Sequence, residues 1–559
     1  MPMNNKKIAE HLNRLANLLE ISDANPFRVR AYRNVARVIV GLSKSVQDLI
    51  HEGIDLTTLP GIGRDLADKI TTLVKSGELP LLREIEAKLP SFLSELMTIE
   101  GLGAKRVQLI YRKLKINNLQ ELHIAIRQGK LKKIKGFGDK IEQKLLQSLT
   151  TRHQDYFSLS DIFPVVTQLL AYLKEIKIAQ RVVATGSFRR CKDLVRDLDI
   201  LVTTDQPKAM IEHFIRYPDI ETVNAEGTTR ASVRFRSGLQ VDLRVVAEKS
   251  YGAALVYFTG SKEHNIAIRQ IAVRKKLKLN EYGVYKGERY ISGATEEEVY
   301  QSINLPFIEP ELRENHGEIE RARADQLPKL IQIKDLRGDL HTHDSLLAAD
   351  HRKEIARSYA MAYEYLTIAY RASDVQSGQW DQTLHKIKKM NVEGPITYLL
   401  AIMVEINEDG LFNVPDRILQ MFDVRIAYPN LAAKLSPKKL IRSMMLALDQ
   451  RHSNILMLTH AFWAHYEGKI PLETIMHKAK INQCFLELAF EDIHPNLRDH
   501  MCQLAKEIGT KIALSSYART ASQLKNIEFS LFQARRGWLE KIDVINTLPL
   551  VKLKRLLQK

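Results

Sequence analysis

Residues 182–202, VVATGSFRRCKDLVRDLDILV, run from one apolar stretch through a Gly-Ser turn and two arginines into a second apolar stretch that opens on Asp197 and Asp199. Side chains two apart on a strand share a face, so these carboxylates project together, and a neighbouring strand can set Asp242 of QVDLRVV (240–246) beside them. Three hard oxygen donors with room for water and phosphates suit Mg²⁺ or Mn²⁺. Two such ions about 4 Å apart can clamp the attacking and leaving oxygens of a phosphoryl transfer. For an isolated Asp-x-Asp, a pair of solvated aspartates at a sheet edge is the plain alternative. The preceding turn argues against it, because the backbone at Gly186, the Ser187 hydroxyl and the Arg190 guanidinium can face a phosphate tail opposite the metals.

Gly-Ser followed about ten residues later by a strand Asp-x-Asp, with a third Asp on a later strand, resembles the nucleotidyltransferase superfamily. Downstream, YGAALVYFTGSKEHNIAIRQ (251–270) and LNEYGVY (279–285) narrow the resemblance to the family X DNA polymerases, with their polymerase beta-like core. That resemblance implies template-dependent gap filling in base excision repair, with gapped or primer-template DNA and deoxynucleoside triphosphates as partners. It sets Tyr257 and Phe258 beneath the incoming sugar and counts Gly260 among the nucleotide-binding positions. Asn265 would read the incoming base from the minor-groove side and Arg269 would check the templating base. Arg244 and Glu281 fall on charged positions tied to closure of this subdomain. Asp197 and Asp199 would bridge both ions, while Asp242 would bind one and help take the proton from the primer 3′-hydroxyl. Lys262 departs from the pattern, standing where the animal enzyme has an acid, so nucleotide affinity and fidelity do not transfer.

The 559 residues exceed what one core accommodates, and a formal charge of +17 points to a polyanionic partner. An acidic membrane surface would also attract such a chain. No segment approaches the roughly 20 apolar residues of a span, and MPMNNKKIAEHL lacks the apolar core of a signal peptide, so a cytoplasmic location is expected; a monomer is expected as well. Cys191, Cys484 and Cys502 are too few and too scattered for a disulfide framework or a zinc knuckle.

Three related segments precede the catalytic region: LPGIGRDLADKI (59–70), IEGLGAKRVQLIY (99–111) and IKGFGDKIEQKLL (134–146). Each sets a Gly-x-Gly turn before an amphipathic helix, so backbone N–H groups can meet a phosphate. They resemble helix-hairpin-helix motifs, which grip the DNA backbone without reading bases. Gly61, Gly63, Gly101, Gly103, Gly136 and Gly138 are the DNA-binding positions this implies. NPFRVRAYRNVARVI (25–39) resembles the small amino-terminal domain of the same polymerases, in which a lysine forms a Schiff base with an abasic sugar. Lys69 falls on that lysine, although a solvated helix lysine is an equal reading. Arg28, Tyr32 and Arg33 match the 5′-phosphate pocket, yet Asp65 stands where a basic residue belongs.

Beyond the catalytic region, residues 305–343 read as a charged, proline-punctuated connector entering a strand, with His341 and His343 on one strand face. DLHTH (339–343) resembles the first motif of the polymerase-and-histidinol-phosphatase (PHP) domain, an α/β barrel that holds metals at its strand ends. His460 also survives, but Tyr370, Arg371, Met403, Asn430, Tyr517 and Arg519 occupy ligand positions. A thioether does not replace a carboxylate on a hard metal and a guanidinium opposes one, so the barrel is expected to be inactive. A site rebuilt around Asp344 or Asp350 is the alternative.

The expected fold is multidomain α/β: helical helix-hairpin-helix domains (1–88 and 89–150), a nucleotidyltransferase-type mixed α/β palm (151–245), a nucleotide-selection subdomain (246–315), a linker (316–334) and a PHP-type distorted barrel (335–559). Two other function classes share parts of these features. A template-independent nucleotidyltransferase would keep the aspartates but have little use for three hairpins and Arg269. A non-catalytic DNA-binding scaffold suits the decayed barrel but not the intact palm acids.

Overall fold

The computed structural model describes residues 5–76 apart from 23, 41, 43 and 44, then 79, 81, 82, 85, 93, 96, 103–114, 131, 134 and 137. It also describes 156–558 apart from 348–362, 376–379, 394–395, 413, 432–434, 451, 460–461, 463–465, 467–469, 492–493 and 496–498. Gly101, Gly136, Gly138, Asp350 and His460 lie outside the described residues. The chain forms two compact units, Met1–Asp155 and Tyr156–Lys559.

The first unit is helical. Helix α1 (Asn5–Ile21) buries Ile8, Leu12, Leu15 and Leu19, and α2 (Pro26–Val40) buries Val29, Tyr32, Val35 and Ile39, each an apolar stripe at helical spacing. Proline opens α2 at the position where its missing N–H costs nothing. Two Gly-x-Gly segments end alike. The Gly63 carbonyl accepts from Leu66 and Ala67 at the start of α3 (Arg64–Ser76), and the Gly103 carbonyl accepts from Arg106 and Val107 at the start of α4 (Ala104–Leu114).

The second unit opens with α5 (Leu159–Glu175), capped by the Ser158 hydroxyl. A five-stranded mixed sheet follows, from β1 (Arg181–Ala184), β2 (Asp197–Thr203), β3 (Ile220–Glu226), β4 (Arg230–Phe235) and β5 (Gln240–Val246), in the order β1-β2-β5-β4-β3. Strands β2 and β5 are parallel neighbours, and their register pairs Asp199 with Asp242. Alternation along β5 buries Val241, Leu243 and Val245 on one face and leaves Asp242 on the other.

Helices α6 (Tyr251–Thr259) and α7 (Lys262–Arg274) come next, with a three-stranded antiparallel sheet of β6 (Lys278–Asn280), β7 (Gly283–Lys286) and β8 (Arg289–Ser292). Their core extends through Leu312, Ile319, Ala322 and Leu330. The stretch read as a linker, 316–334, is therefore packed structure. Glu318 is fully buried and bonds His264 Nδ1 at 2.6 Å, so the segment is drawn inward by a paired acid as well as by its apolar side chains.

The barrel runs β9 (Gly338–His343), β10 (Tyr365–Arg371), β11 (Thr397–Ile406), β12 (Val424–Pro429), β13 (Ile455–Leu456), β14 (Phe485–Glu491) and β15 (Ile512–Ser515), all parallel and in chain order. A parallel bridge from Thr342 to Ala518 and the bond from His343 N–H to the Ala518 carbonyl close it. Strands buried on both faces read as continuous apolar runs, as TYLLAIMVEI (397–406) does. Among the described residues no helix is long and apolar enough to cross a membrane.

Gly252 sits where α6 meets the loop before Glu296, and a Cβ there would lie 2.1 Å from the Thr295 carbonyl carbon. Backbone cannot step aside as a side chain can, so Gly252→Ala is expected to destabilise the second unit by about 3 kcal/mol, read as a lowered melting midpoint.

Candidate active site and the barrel mouth

Thr185 ties the Gly-Ser turn to the aspartate strand: its N–H donates to the Asp199 carbonyl at 2.7 Å and its hydroxyl donates to the same oxygen at 3.2 Å. Gly186 has φ +63°, and a Cβ on it would stand 2.8 Å from Asp199 Oδ2, so only glycine lets the turn and the acid share this space. Ser187 and Arg190 follow within the same short turn.

Asp197 and Asp199 share a face of β2, and Asp242 is directly across from Asp199. The three expected acids are thus brought together by strand register. Burial, then the charges of Asp197 and Asp242, push the Asp199 carboxyl up to about 6, against the opposing pull of Arg244 and Arg190. Asp242 Oδ2 accepts from Gln240 at 3.0 Å, whereas its buried Oδ1 has no hydrogen-bond partner among the described residues. Asp197 makes an exposed contact with Arg196 at 3.5 Å. As the side chains stand, no group of three or more His, Cys, Asp or Glu among the described residues is gathered tightly enough to hold a metal ion. Three like charges in register, one raised in pKa and one with an orphaned buried oxygen, nevertheless make a donor set that a divalent cation fits.

Arg190 is placed differently from expectation. It is 8% exposed, with Nε donating to Glu314 at 3.0 Å and Nη1 to the Thr259 carbonyl. Two edges of its guanidinium are thus spent on fixing the turn rather than facing a ligand. Arg189 does similar work, reaching Glu296 with both terminal nitrogens at 2.9 and 2.6 Å.

On the nucleotide-selection side, the Tyr257 and Phe258 rings meet edge to face at 5.1 Å, and Arg244 lies over Phe258 at 4.8 Å. Asn265 donates to the Tyr257 carbonyl at 2.7 Å, and Arg269 lies 5.6 Å from the Tyr257 ring. Gly260, with φ +73°, turns the chain between α6 and α7. Arg244, Phe258 and Glu281 line one cavity.

In the first unit Lys69 donates to both carboxylate oxygens of Asp65, four residues earlier on α3. An amine engaged in that way is not presented to a sugar carbon. Arg28 is exposed, but Arg33 is paired with Glu20 and bonded to Asn17 at 3.0 Å, and Tyr32 is 1% exposed in the helical core. Of the three residues expected to form a 5′-phosphate pocket, the fold leaves Arg28 exposed, engages Arg33 with Glu20 and Asn17, and buries Tyr32. Tyr32 serves the core because it continues the apolar stripe of α2.

At the barrel mouth, His341 Nδ1 bonds Glu487 at 2.8 Å with both side chains fully buried. Sequence reasoning missed Glu487; the lone acid in the apolar run FLELAF (485–490) was its signal. The Tyr517 ring lies edge-on to His341 at 4.8 Å and to His343 at 4.5 Å. Burial, then His341, Arg519 and Arg371, lower His343 to about 3. Arg371, Met403, Glu405, Tyr428, Met457 and Tyr517 line a cavity of about 530 Å³ at this end. The aromatic ring against both imidazoles, the thioethers in the wall and the two guanidinium fields set this mouth apart from a carboxylate-rich site for hard cations, while His341 Nε2, His343 Nε2 and Glu487 Oε2 are buried with no hydrogen-bond partner among the described residues.

The raised Asp199 carboxyl has a stability consequence in chelator. A carboxyl whose folded pKa lies above its unfolded value favours folding while protonated, below about 3.8, and loses that advantage as pH rises through about 6. Asp199→Asn is therefore expected to raise stability by about 1 to 2 kcal/mol above pH 6, after allowance for the solvent that reaches the side chain, and to match the parent near pH 4. Thermal melts across that range check it.

Comparison with known proteins agrees with this layout. Residues 254–314 match the family model of the DNA polymerase beta thumb, 3–79 a helix-hairpin-helix domain, and 93–151 a SAM-like helix-hairpin-helix tandem. The DNA polymerase/3′-5′ exonuclease PolX of Bacillus subtilis is 27% identical over an alignment of 581 positions covering 100% of both chains. DNA polymerase lambda of Rattus norvegicus is 25% identical over 346 residues, 56% of each protein. A Repair DNA polymerase X of African swine fever virus is 27% identical over 145 residues, 24% of this chain and 83% of the viral one. With a match to a polymerase thumb after the three-aspartate sheet, matches to helix-hairpin-helix domains before it, and end-to-end alignment with a bacterial relative, the chain is similar over its whole length to the bacterial-type family X DNA polymerases.

Proposed function

We propose that this chain is a template-dependent DNA polymerase that fills gaps in base excision repair, acting as a monomer in the cytoplasm. The observation that carries this reading is the register that sets Asp199 against Asp242, with Asp197 on the same face and the Gly186 turn in contact with Asp199. Mg²⁺ or Mn²⁺ held by Asp197, Asp199 and Asp242 would neutralise triphosphate charge and favour the ionised primer hydroxyl. Asp242 accepts the primer proton. Ser187 and the backbone of Gly186 hold the phosphate tail, and Arg190 keeps that turn in place through Glu314 and the Thr259 carbonyl. Tyr257 and Phe258 pack against the sugar, Asn265 meets the incoming base, and Arg269 meets the template.

The backbone at Gly61, Gly63 and Gly103 grips DNA without sequence preference, and the charge of +17 supports a DNA partner. In this reading the functional division follows the sequence boundaries, with Ile319, Ala322 and Leu330 packed into the core of the nucleotide-selection subdomain and Ile331 into that of the barrel. The Lys69–Asp65 pair favours polymerisation over lyase chemistry as the main activity. The name of the Bacillus subtilis relative includes a 3′-5′ exonuclease. The Tyr517 ring against His341 and His343 supports the reading that this barrel does not hydrolyse phosphoesters.

A gapped duplex with deoxynucleoside triphosphates and Mg²⁺ is expected to be extended, and a lone strand is not. Asp197→Ala should abolish extension while the gel-shift affinity for gapped DNA persists; extension that survives in that variant would refute the reading. In Mn²⁺, the double substitution of His341 and His343 to Ala should leave 3′-end degradation at the parent's background level.

A further inference from the structure

The helix α8 (Ile527–Arg536), which belongs to the barrel half of the second unit, turns one face toward the palm. Phe529, Phe532, Gln533 and Arg536 are spaced i, i+3, i+4, i+7 and so share that face. Gln533 and Arg536 bond residues 190–191, the back of the turn that begins with Gly186 and Ser187, and Phe529 and Phe532 reach Phe188 through Phe163. Phe188 meets Phe163 at 5.8 Å, and Phe163 meets Phe529 at 5.7 Å and Phe532 at 6.2 Å. Gln533 donates to the Cys191 carbonyl at 3.2 Å. Arg536, 9% exposed, donates through Nη1 to the Arg190 main-chain carbonyl at 2.8 Å and to Glu314 at 3.1 Å, and through Nη2 to Asp499 at 2.6 Å.

Glu314 Oε1 therefore serves two guanidiniums, Arg190 from the palm and Arg536 from the barrel. Burial works to raise the Glu314 pKa, but Arg190, Arg536 and Lys192 outweigh it and hold the carboxyl below its ordinary range. It is an anion at neutral pH, shared between the two halves.

We propose that Arg536 is a positioning residue for polymerisation: this side chain of the barrel half pins the phosphate-binding turn of the palm by holding Arg190 at its carbonyl and through Glu314. This rests on the polymerase reading of the site above. It gives the barrel a present use that needs no metal. The neighbouring Arg535 provides an internal control, because its guanidinium crosses the same boundary to Glu311 at 2.6 Å and to the Ile331 carbonyl at 2.9 Å without bonding the turn.

Full-length Arg536→Met, Arg536→Lys and Arg535→Met chains are compared with the parent for gap filling and for triphosphate binding to the enzyme–gapped DNA complex in Ca²⁺. Arg536→Met is expected to raise KM and Kd for the triphosphate about tenfold, with kcat at saturation within about threefold of the parent, because uniform binding of the tail is what is lost. Arg536→Lys should recover part of this, since an ammonium keeps the charge but not the forked geometry, and gapped-DNA affinity should not change. Arg535→Met should leave triphosphate KM within about twofold. If Arg536→Met does not fold, Arg536→Lys alone decides, with a rise of about threefold or more expected. Equal effects from the Arg535 and Arg536 variants would mean general support of the boundary and overturn the proposal, as would unchanged KM and Kd in the Arg536 variants. A parent chain that neither binds triphosphate nor extends a primer would sink the polymerase reading and this inference together.

Discussion

Parallel pairing between β2 and β5 is the constraint on which the molecule's chemistry depends. It places Asp199 opposite Asp242 and, through the period of two along a strand, Asp197 on the same face. Slipping this register by one residue would send a carboxylate into the apolar layer and bring a valine or leucine out. The apolar side of the sheet, with Leu198, Ile200, Val241 and Leu243 nearly inaccessible to solvent, fixes the register, so the hydrophobic core determines where the charges sit. The cost of gathering three acids is visible in Asp199, whose ionisation is resisted by burial and by its two neighbours.

The same unit contains a second, opposite electrostatic solution. Around the Gly-Ser turn, acids and arginines alternate: Arg189 with Glu296, Arg190 with Glu314, Arg313 with Glu296, and Arg536 with Glu314 and Asp499. These charges are largely dry, and removing one partner would strand the other, so the network resists loosening piecemeal. It connects residues far apart in sequence that all bear on one short turn. On the aspartate face the fields of Arg244 and Arg190 do not outweigh burial and like charge at Asp199, whereas at the back of the turn each of these acids is paired with a guanidinium. That division sets a cation-seeking surface against a rigid support.

The sequence was most informative where a backbone rule and a chemical requirement coincide. Asp-x-Asp on a strand could be read directly, because strand periodicity alone places both acids, and the glycine before Ser187 proved to be required by its contact with Asp199. DLHTH was legible as the first strand of the barrel. Less legible was anything that depends on partners distant in the chain. Charge density made 316–334 resemble a solvated connector, yet Glu318 is buried because His264, more than fifty residues earlier, accepts its pairing. Arg190 looked available for phosphate until Glu314 and Thr259 claimed it. Tyr32 and Arg33 fell on pocket positions, but the helical stripe and Glu20 decide where they go. The face of α8 was present in the spacing of Phe529, Phe532, Gln533 and Arg536, although nothing local identifies the surface it meets.

The most direct test of the central claim is to locate the bound cation: a crystal of the chain with gapped DNA, a non-hydrolysable deoxynucleoside triphosphate and Mn²⁺, with manganese positions taken from anomalous scattering. The account predicts manganese between Asp197, Asp199 and Asp242, next to the triphosphate tail at the Gly186 turn. Manganese absent from those three aspartates, or bound instead at His341 and His343 in the barrel, would contradict it.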